Sequence, residues 1–249
     1  MKPIFSSSKA LFAIAFAFTI TSCGGEKERP EVIAKLRGLG VEQTPVNASP
    51  GSTVDVVFHL AAASGLTLNA QPFLDTASKY GPAALVTLID KTATETKLNN
   101  ASHYKLRAQL VIPSTPEVNA LTLVQGLARV RFGVKLTSSS DGDDETIVAD
   151  ALVYKAGSEQ LTWKAPTIEI AEPVLDSISN STTLGANIQS TGSEKNRVGW
   201  FVTNGKVKNP AAKSSVWSEI PAGDQTLFLT VRGTKSGAFS IKTKTVKVN

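Results

Sequence analysis

Leu127-Ala128-Arg129-Val130-Arg131-Phe132-Gly133-Val134-Lys135-Leu136 alternates between apolar and polar side chains with a period of two. Ala128, Val130, Phe132, Val134 and Leu136 fall on one face, opposite Arg129, Arg131 and Lys135. Successive side chains of a strand point to opposite faces, so the stretch predicts an antiparallel strand with one face on a core and one in water. Val54, Val56, Phe58 and Leu60 repeat the pattern, as do Tyr104, Leu106, Ala108, Leu110 and Ile112. His59 and His103 sit on the opposite faces of these two strands and are expected in solvent or in a second layer. The chain is therefore expected to be all-β.

Turn chemistry separates the strands. Ser49-Pro50-Gly51-Ser52, Gly81-Pro82 and the run from Ser138 to Asp144 each precede an alternating segment. Asn204-Gly205 predicts a two-residue hairpin turn, because a type I′ turn needs positive φ at both positions. Gly233 to Gly237 predicts a link between two further strands. One short helical candidate runs from Pro72 to Tyr80. Pro166 and Pro173 flank Thr167-Ile168-Glu169-Ile170, a segment that either closes a first domain or opens a second. Many short strands with Gly/Pro-rich turns imply two antiparallel β-sandwich domains, 31–165 and 166–249.

The first thirty residues read differently. Lys2 and Lys9 bracket a basic segment, and Ala10 to Ile20 is apolar. That run is shorter than the roughly 20 apolar residues of a spanning helix and fits the apolar region of a secretion signal. Ile20-Thr21-Ser22-Cys23 resembles the lipobox of bacterial lipoproteins. The resemblance implies a signal helix over 1–22, cleavage before Cys23, acylation of Cys23 by diacylglycerol and palmitate-type chains, and a flexible tether over 23–30. It implies a cell-envelope location with membrane lipid as a partner. Gly24 in place of Asp favours the outer membrane. Cys23 is the only cysteine of the chain. Acylation consumes its thiol, which leaves no disulfide, zinc–thiolate cluster or Cys nucleophile.

Residues 198–249 resemble the C-terminal half of bacterial immunoglobulin-like modules of the PKD and fibronectin-III kind. The residues that carry the resemblance are Val198-Gly199-Trp200-Phe201-Val202, Asn204-Gly205, Trp217, Pro221-Ala222-Gly223-Asp224, Leu227-Phe228-Leu229-Thr230-Val231 and the closing alternation through Val246-Lys247-Val248. The resemblance implies an Ig-like sandwich used as a spacer, adhesion unit or scaffold.

Charge is unevenly spread. Residues 195–249 hold ten Lys/Arg and two acids, a balance of +8, against −5 for residues 24–194. A one-signed segment of this size fits either a solvated basic face near a membrane or contact with an anionic envelope polymer or acidic protein. Nucleic acid is not expected, since aromatic and basic residues do not interleave in a stripe.

Few residues offer chemistry. Asp141, Asp143, Asp144 and Glu145 cluster around Gly142 and supply hard oxygen donors suited to calcium. Without a twelve-residue loop they do not form an EF-hand, and the same residues serve as a solvated hairpin tip that keeps a sheet edge soluble. No other cofactor is expected. Two separated histidines make a poor zinc site, and no Gly-x-Ser-x-Gly elbow marks a hydrolase. Trp163, Trp200 and Trp217 are candidates for a sugar-stacking platform or for core.

The leading expectation is a non-enzymatic, membrane-anchored envelope lipoprotein acting as an adhesion, scaffold or binding module through its C-terminal domain. The alternative is a carbohydrate-binding or polysaccharide-processing envelope protein. A third is a hydrolase with a site between the domains, which requires His59 or His103 beside Asp and Ser.

Overall fold

The computed structural model describes residues 31–62, 65–74, 85–90, 92–116, 118, 119, 126–138, 144–190 and 194–249. The expected signal helix over 1–22, Cys23 and the 23–30 tether lie outside them. Sixteen strands are found among the described residues. In the first half these are β1 (Arg37–Thr44), β2 (Thr53–Ala62), β3 (Leu68–Leu74), β4 (Leu85–Leu88), β5 (Thr94–Leu98), β6 (Ala101–Val111), β7 (Leu127–Ser138) and β8 (Asp144–Tyr154). In the second they are β9 (Thr167–Glu172), β10 (Ser177–Ile178), β11 (Thr182–Gln189), β12 (Asn196–Val202), β13 (Lys206–Val207), β14 (Ser214–Ser218), β15 (Gly223–Gly233) and β16 (Phe239–Val248).

The first half forms a sandwich. One sheet runs β1-β2-β6-β4 with β5 also on β6, and the other runs β3-β7-β8. Val54, Val56, Phe58 and Leu60 from one sheet bury against Val130, Phe132, Val134 and Leu136 from the other. Phe58 meets Phe132 edge to face, with ring centroids 6.1 Å apart, a favoured arrangement of aromatic quadrupoles. The second half pairs β10-β16-β15-β12 with β13-β14-β11-β9 around Trp200, Trp217, Leu184, Leu229 and Val231. The pairing is antiparallel apart from β10 with β16. β9 belongs to this second half, pairing with β11.

Two local expectations are corrected. Pro72 to Leu74 is not helical but ends β3, which among the described residues pairs with β7 alone, at the edge of its sheet. Proline lacks the N–H that a central strand must donate, and an edge tolerates it. Residues 75–80 of that expectation lie outside the described residues. Asn204-Gly205 does not close a hairpin either. β12 lies in one sheet and β13 in the other, so the turn carries the chain across the sandwich. Only Gly205 has positive φ there, at 86°. The Trp217 indole N–H donates to the Asn204 carbonyl at 2.8 Å and the Asn204 amide donates to Gln225 at 2.9 Å, fixing the crossing from both sheets.

The outer face of the β1-β2-β6 sheet packs on the outer face of β12-β15-β16. Ile33, Leu39, Ala61 and Phe228 form a separate apolar cluster at this joint, flanked by Leu98, Phe201 and Ile241. β15 explains how one strand serves two layers. Its residues from Gln225 to Val231 are all buried. Leu227, Leu229 and Val231 face the second core, while Phe228 faces the joint. A β-bulge between Gly38 and Gly40 breaks the β1–β2 register and turns Leu39 into the joint; bulges re-aim side chains in this way. Polar bonds reinforce the contact. The Asn100 amide donates to Thr203 Oγ1 at 2.9 Å and to the Asp224 carbonyl at 2.7 Å. Val32 bridges Val202 in parallel, so the chain meets the second sandwich before it enters the first.

Candidate functional site

The two histidines meet inside the joint. β2 and β6 are adjacent, which brings His59 and His103 together on the face away from the first core. Their rings stack with centroids 5.3 Å apart, and His59 Nδ1 lies 3.1 Å from His103 Nε2. His59 Nε2 lies 3.1 Å from Glu42 Oε2. Phe239 and Phe228 of the second sandwich close over them, at 5.6 Å from His59 and 6.0 Å from His103. His59 and His103 are thus buried, and the second layer that covers them is the other domain. The Glu42 carboxylate accepts from His59 Nε2, and a single hydrogen bridges His59 Nδ1 and His103 Nε2. Burial, then the neighbouring His59, then Lys105, hold the His103 imidazole down to about pKa 4. The hydrogen bond from His59 holds the Glu42 carboxyl below its usual value. Among the described residues, the hydrogen-bond partners of His59 are His103 and Glu42, where the hydrolase expectation requires Asp and Ser.

A groove of about 190 Å³ opens at another margin of the joint. β7 and β8 of the first sandwich contribute Arg129, Asp150 and Leu152; β12 and the β15–β16 hairpin of the second contribute Arg197, Arg232 and residues 233–237. Asp150 is shared by Arg129 at 3.3 Å and Arg131 at 3.2 Å. The alternation of the 127–136 strand places both arginines outward, and the β12–β15 register places Arg197 directly opposite Arg232. Two like charges on facing positions repel each other, and an anion between them relieves the repulsion.

The hairpin loop holds one anion of the chain itself. Glu194 Oε2 accepts the backbone N–H groups of Lys235 and Ser236, each at 2.9 Å. Glu194 Oε1 accepts the Ser236 hydroxyl at 2.5 Å. Successive backbone N–H groups aimed at one point make an anion nest. Gly233 leaves room for it, since a Cβ there would lie 2.3 Å from Glu194 Oε1. Charges of both domains are felt at Tyr154, whose hydroxyl is pushed up by burial, opposed by Arg129 and assisted by Glu194.

The other sequence candidates lie elsewhere. Asp141 and Asp143 fall outside the described residues. Asp144 pairs with Lys135 at 3.7 Å, and Glu145 accepts the Gly38 N–H at 3.0 Å. Among the described residues no cluster of three or more His, Cys, Asp or Glu is placed to hold a metal. Trp200 and Trp217 are fully buried in the second core, which leaves Trp163 alone and half-buried. The three tryptophans do not form a platform. Within the basic 195–249 segment Lys206 pairs with Glu219 at 3.8 Å and Lys244 with Asp176 at 3.1 Å. Arg197, Arg232 and Lys235 stand at the groove instead. Sequence reasoning missed the groove because one of its arginines, Arg129, comes from the other domain, outside the basic 195–249 segment.

No protein-family model and no curated protein matches this sequence. Among solved structures, the chain is similar to the fibronectin(III)-like modules of Clostridium thermocellum CbhA. The identity is 14%, over 84% of this chain and 92% of that chain, with a TM-score of 0.30. It is also similar to an ASH/PapD-like domain of human CEP192, at 10% identity over 63% of this chain and 100% of that chain, with a TM-score of 0.29. Yersinia pseudotuberculosis InvD shows 12% identity over 84% of this chain and 57% of that chain, with a TM-score of 0.22.

Proposed function

We propose that this chain is a lipid-anchored, non-enzymatic binding module of a bacterial cell envelope, holding an acidic partner in the groove between its two sandwiches. The observation that carries the reading is the groove itself. Arg129 from one domain and Arg197 and Arg232 from the other line a single concave site. Arginine suits carboxylate recognition because its planar fork donates two parallel hydrogen bonds. The lipobox residues through Cys23 support the anchor, and the apolar joint supports a site of fixed shape. The groove spans both domains, whereas charge counting alone pointed to the C-terminal one.

The test is titration of the full chain in detergent with fluorescent acidic oligomers. Arg197→Ala with Arg232→Ala is expected to weaken binding at least tenfold and to flatten its salt dependence, since fewer screened charge contacts remain. Undiminished affinity in that variant contradicts the reading.

A further inference from the structure

We infer that Glu194 is an exchangeable occupant of the 233–237 loop, and that the ligand which replaces it is a glutamate-bearing segment of an acidic protein. This deepens the groove reading and rests on it. Three donors, two backbone N–H groups and one hydroxyl, converge on the Glu194 carboxylate. The loop is therefore already shaped for a carboxylate. The Ser236 hydroxyl that completes the set also accepts the Ala238 N–H at 3.0 Å, a bond within the loop that does not involve Glu194.

Among the described residues, the hydrogen bonds of the Glu194 carboxylate go to Lys235 and Ser236. Glu194 precedes β12 rather than lying in it. Its departure strips no apolar side chain from either core. Lys195 is exposed beside it, and its carbonyl accepts the Thr234 N–H at 2.9 Å. That bond ties the backbone to the loop while leaving the Glu194 side chain free to swing.

Tethering sets what can compete. A side chain on a short connection presents itself at an effective concentration on the order of millimolar or above. A lone carboxylate in solution loses to it. An acidic segment that reaches Arg129 and Arg197 as well gains contacts that Glu194 does not make, and displaces it. The fit favours a glutamate side chain over a uronic acid. A Cβ on Gly233 would lie 2.6 Å from Glu194 Cδ, so the carboxyl carbon passes close to the backbone there. A slim methylene stem enters such a gap. A uronate attaches its carboxyl directly to a sugar ring, which would have to occupy the same space.

The experiment is fluorescence titration of the full chain in detergent with labelled hexaglutamate and, in parallel, hexagalacturonate. Glu194→Ala is expected to bind hexaglutamate about tenfold more tightly than the wild type, with little gain for hexagalacturonate. Adding Gly233→Ala to that variant is expected to cancel the gain, because the new Cβ fills the carboxylate position. Glu194→Gln keeps the shape of the loop and weakens the occupant. It is expected to show a smaller gain, and it serves if Glu194→Ala does not fold. Wild-type binding with no gain in either Glu194 variant overturns the exchange and leaves the groove reading standing. A gain for hexagalacturonate alone overturns the peptide assignment. No binding of either probe to any of these chains overturns the groove reading together with the exchange.

Discussion

His103 couples the joint to pH through a proton that the folded chain refuses. Its imidazole takes up a proton near 6.5 when unperturbed, but only near about 4 in the folded chain. Between those values the unfolded state binds more protons, so folding stability is complete above about pH 6.5 and falls as pH drops towards 4. The full difference corresponds to roughly 3 kcal/mol. Glu42 acts in the same direction at lower pH, since its carboxyl is held below 4.5 by His59 and its contribution is lost as pH falls through that lowered value. Thermal melts of the wild type and His103→Phe between pH 7.5 and 4 check this. The wild type is expected to lose more of its melting temperature than the variant over that range; parallel curves contradict a neutral buried His103. Cys23 gives a second prediction at this scale. Cells fed radiolabelled palmitate are expected to label the wild-type chain and not Cys23→Ser, and a labelled variant would refute the anchor.

Among the elements, β1 and β15 shape the joint. Gly40 follows the bulge and lies against Phe239, where a Cβ would fall 2.1 to 2.7 Å from ring atoms. Gly40→Ala forces that ring away from His59. The expected cost is about 1–3 kcal/mol, the range for overpacking a close contact, read as a lower midpoint in urea denaturation; an unchanged midpoint contradicts the contact. Strand faces also show what the sequence could and could not tell. Alternation in Leu127–Leu136 reports which side chains share a face, and the structure has Ala128, Val130, Phe132, Val134 and Leu136 buried as that pattern implies. Period two does not say what covers the second face. His59, His103 and Phe228 therefore gave no sign that another domain would lie over them. The Glu194 contact was hidden for a different reason. Two of its three donors are backbone N–H groups, which every non-proline residue has, and only the turn signal at Gly233 to Gly237 marked the place.

For the molecule as a whole, the arginine groove exists only while the two sandwiches hold their relation. The apolar cluster of Ile33, Leu39, Ala61 and Phe228 maintains it, so joint and site rise or fall together. The Val32–Val202 bridge also holds the second sandwich beside the segment where the chain enters the first. The basic half, last in sequence, is next to the entry point in space. The most direct measurement compares affinity for an acidic oligomer in Arg129→Ala and in Arg197→Ala, one substitution from each domain, under identical salt. The account predicts that both weaken binding by a similar factor. Loss confined to Arg197→Ala, with Arg129→Ala binding as the wild type does, would place the site on the second sandwich alone and contradict a groove shared between the two.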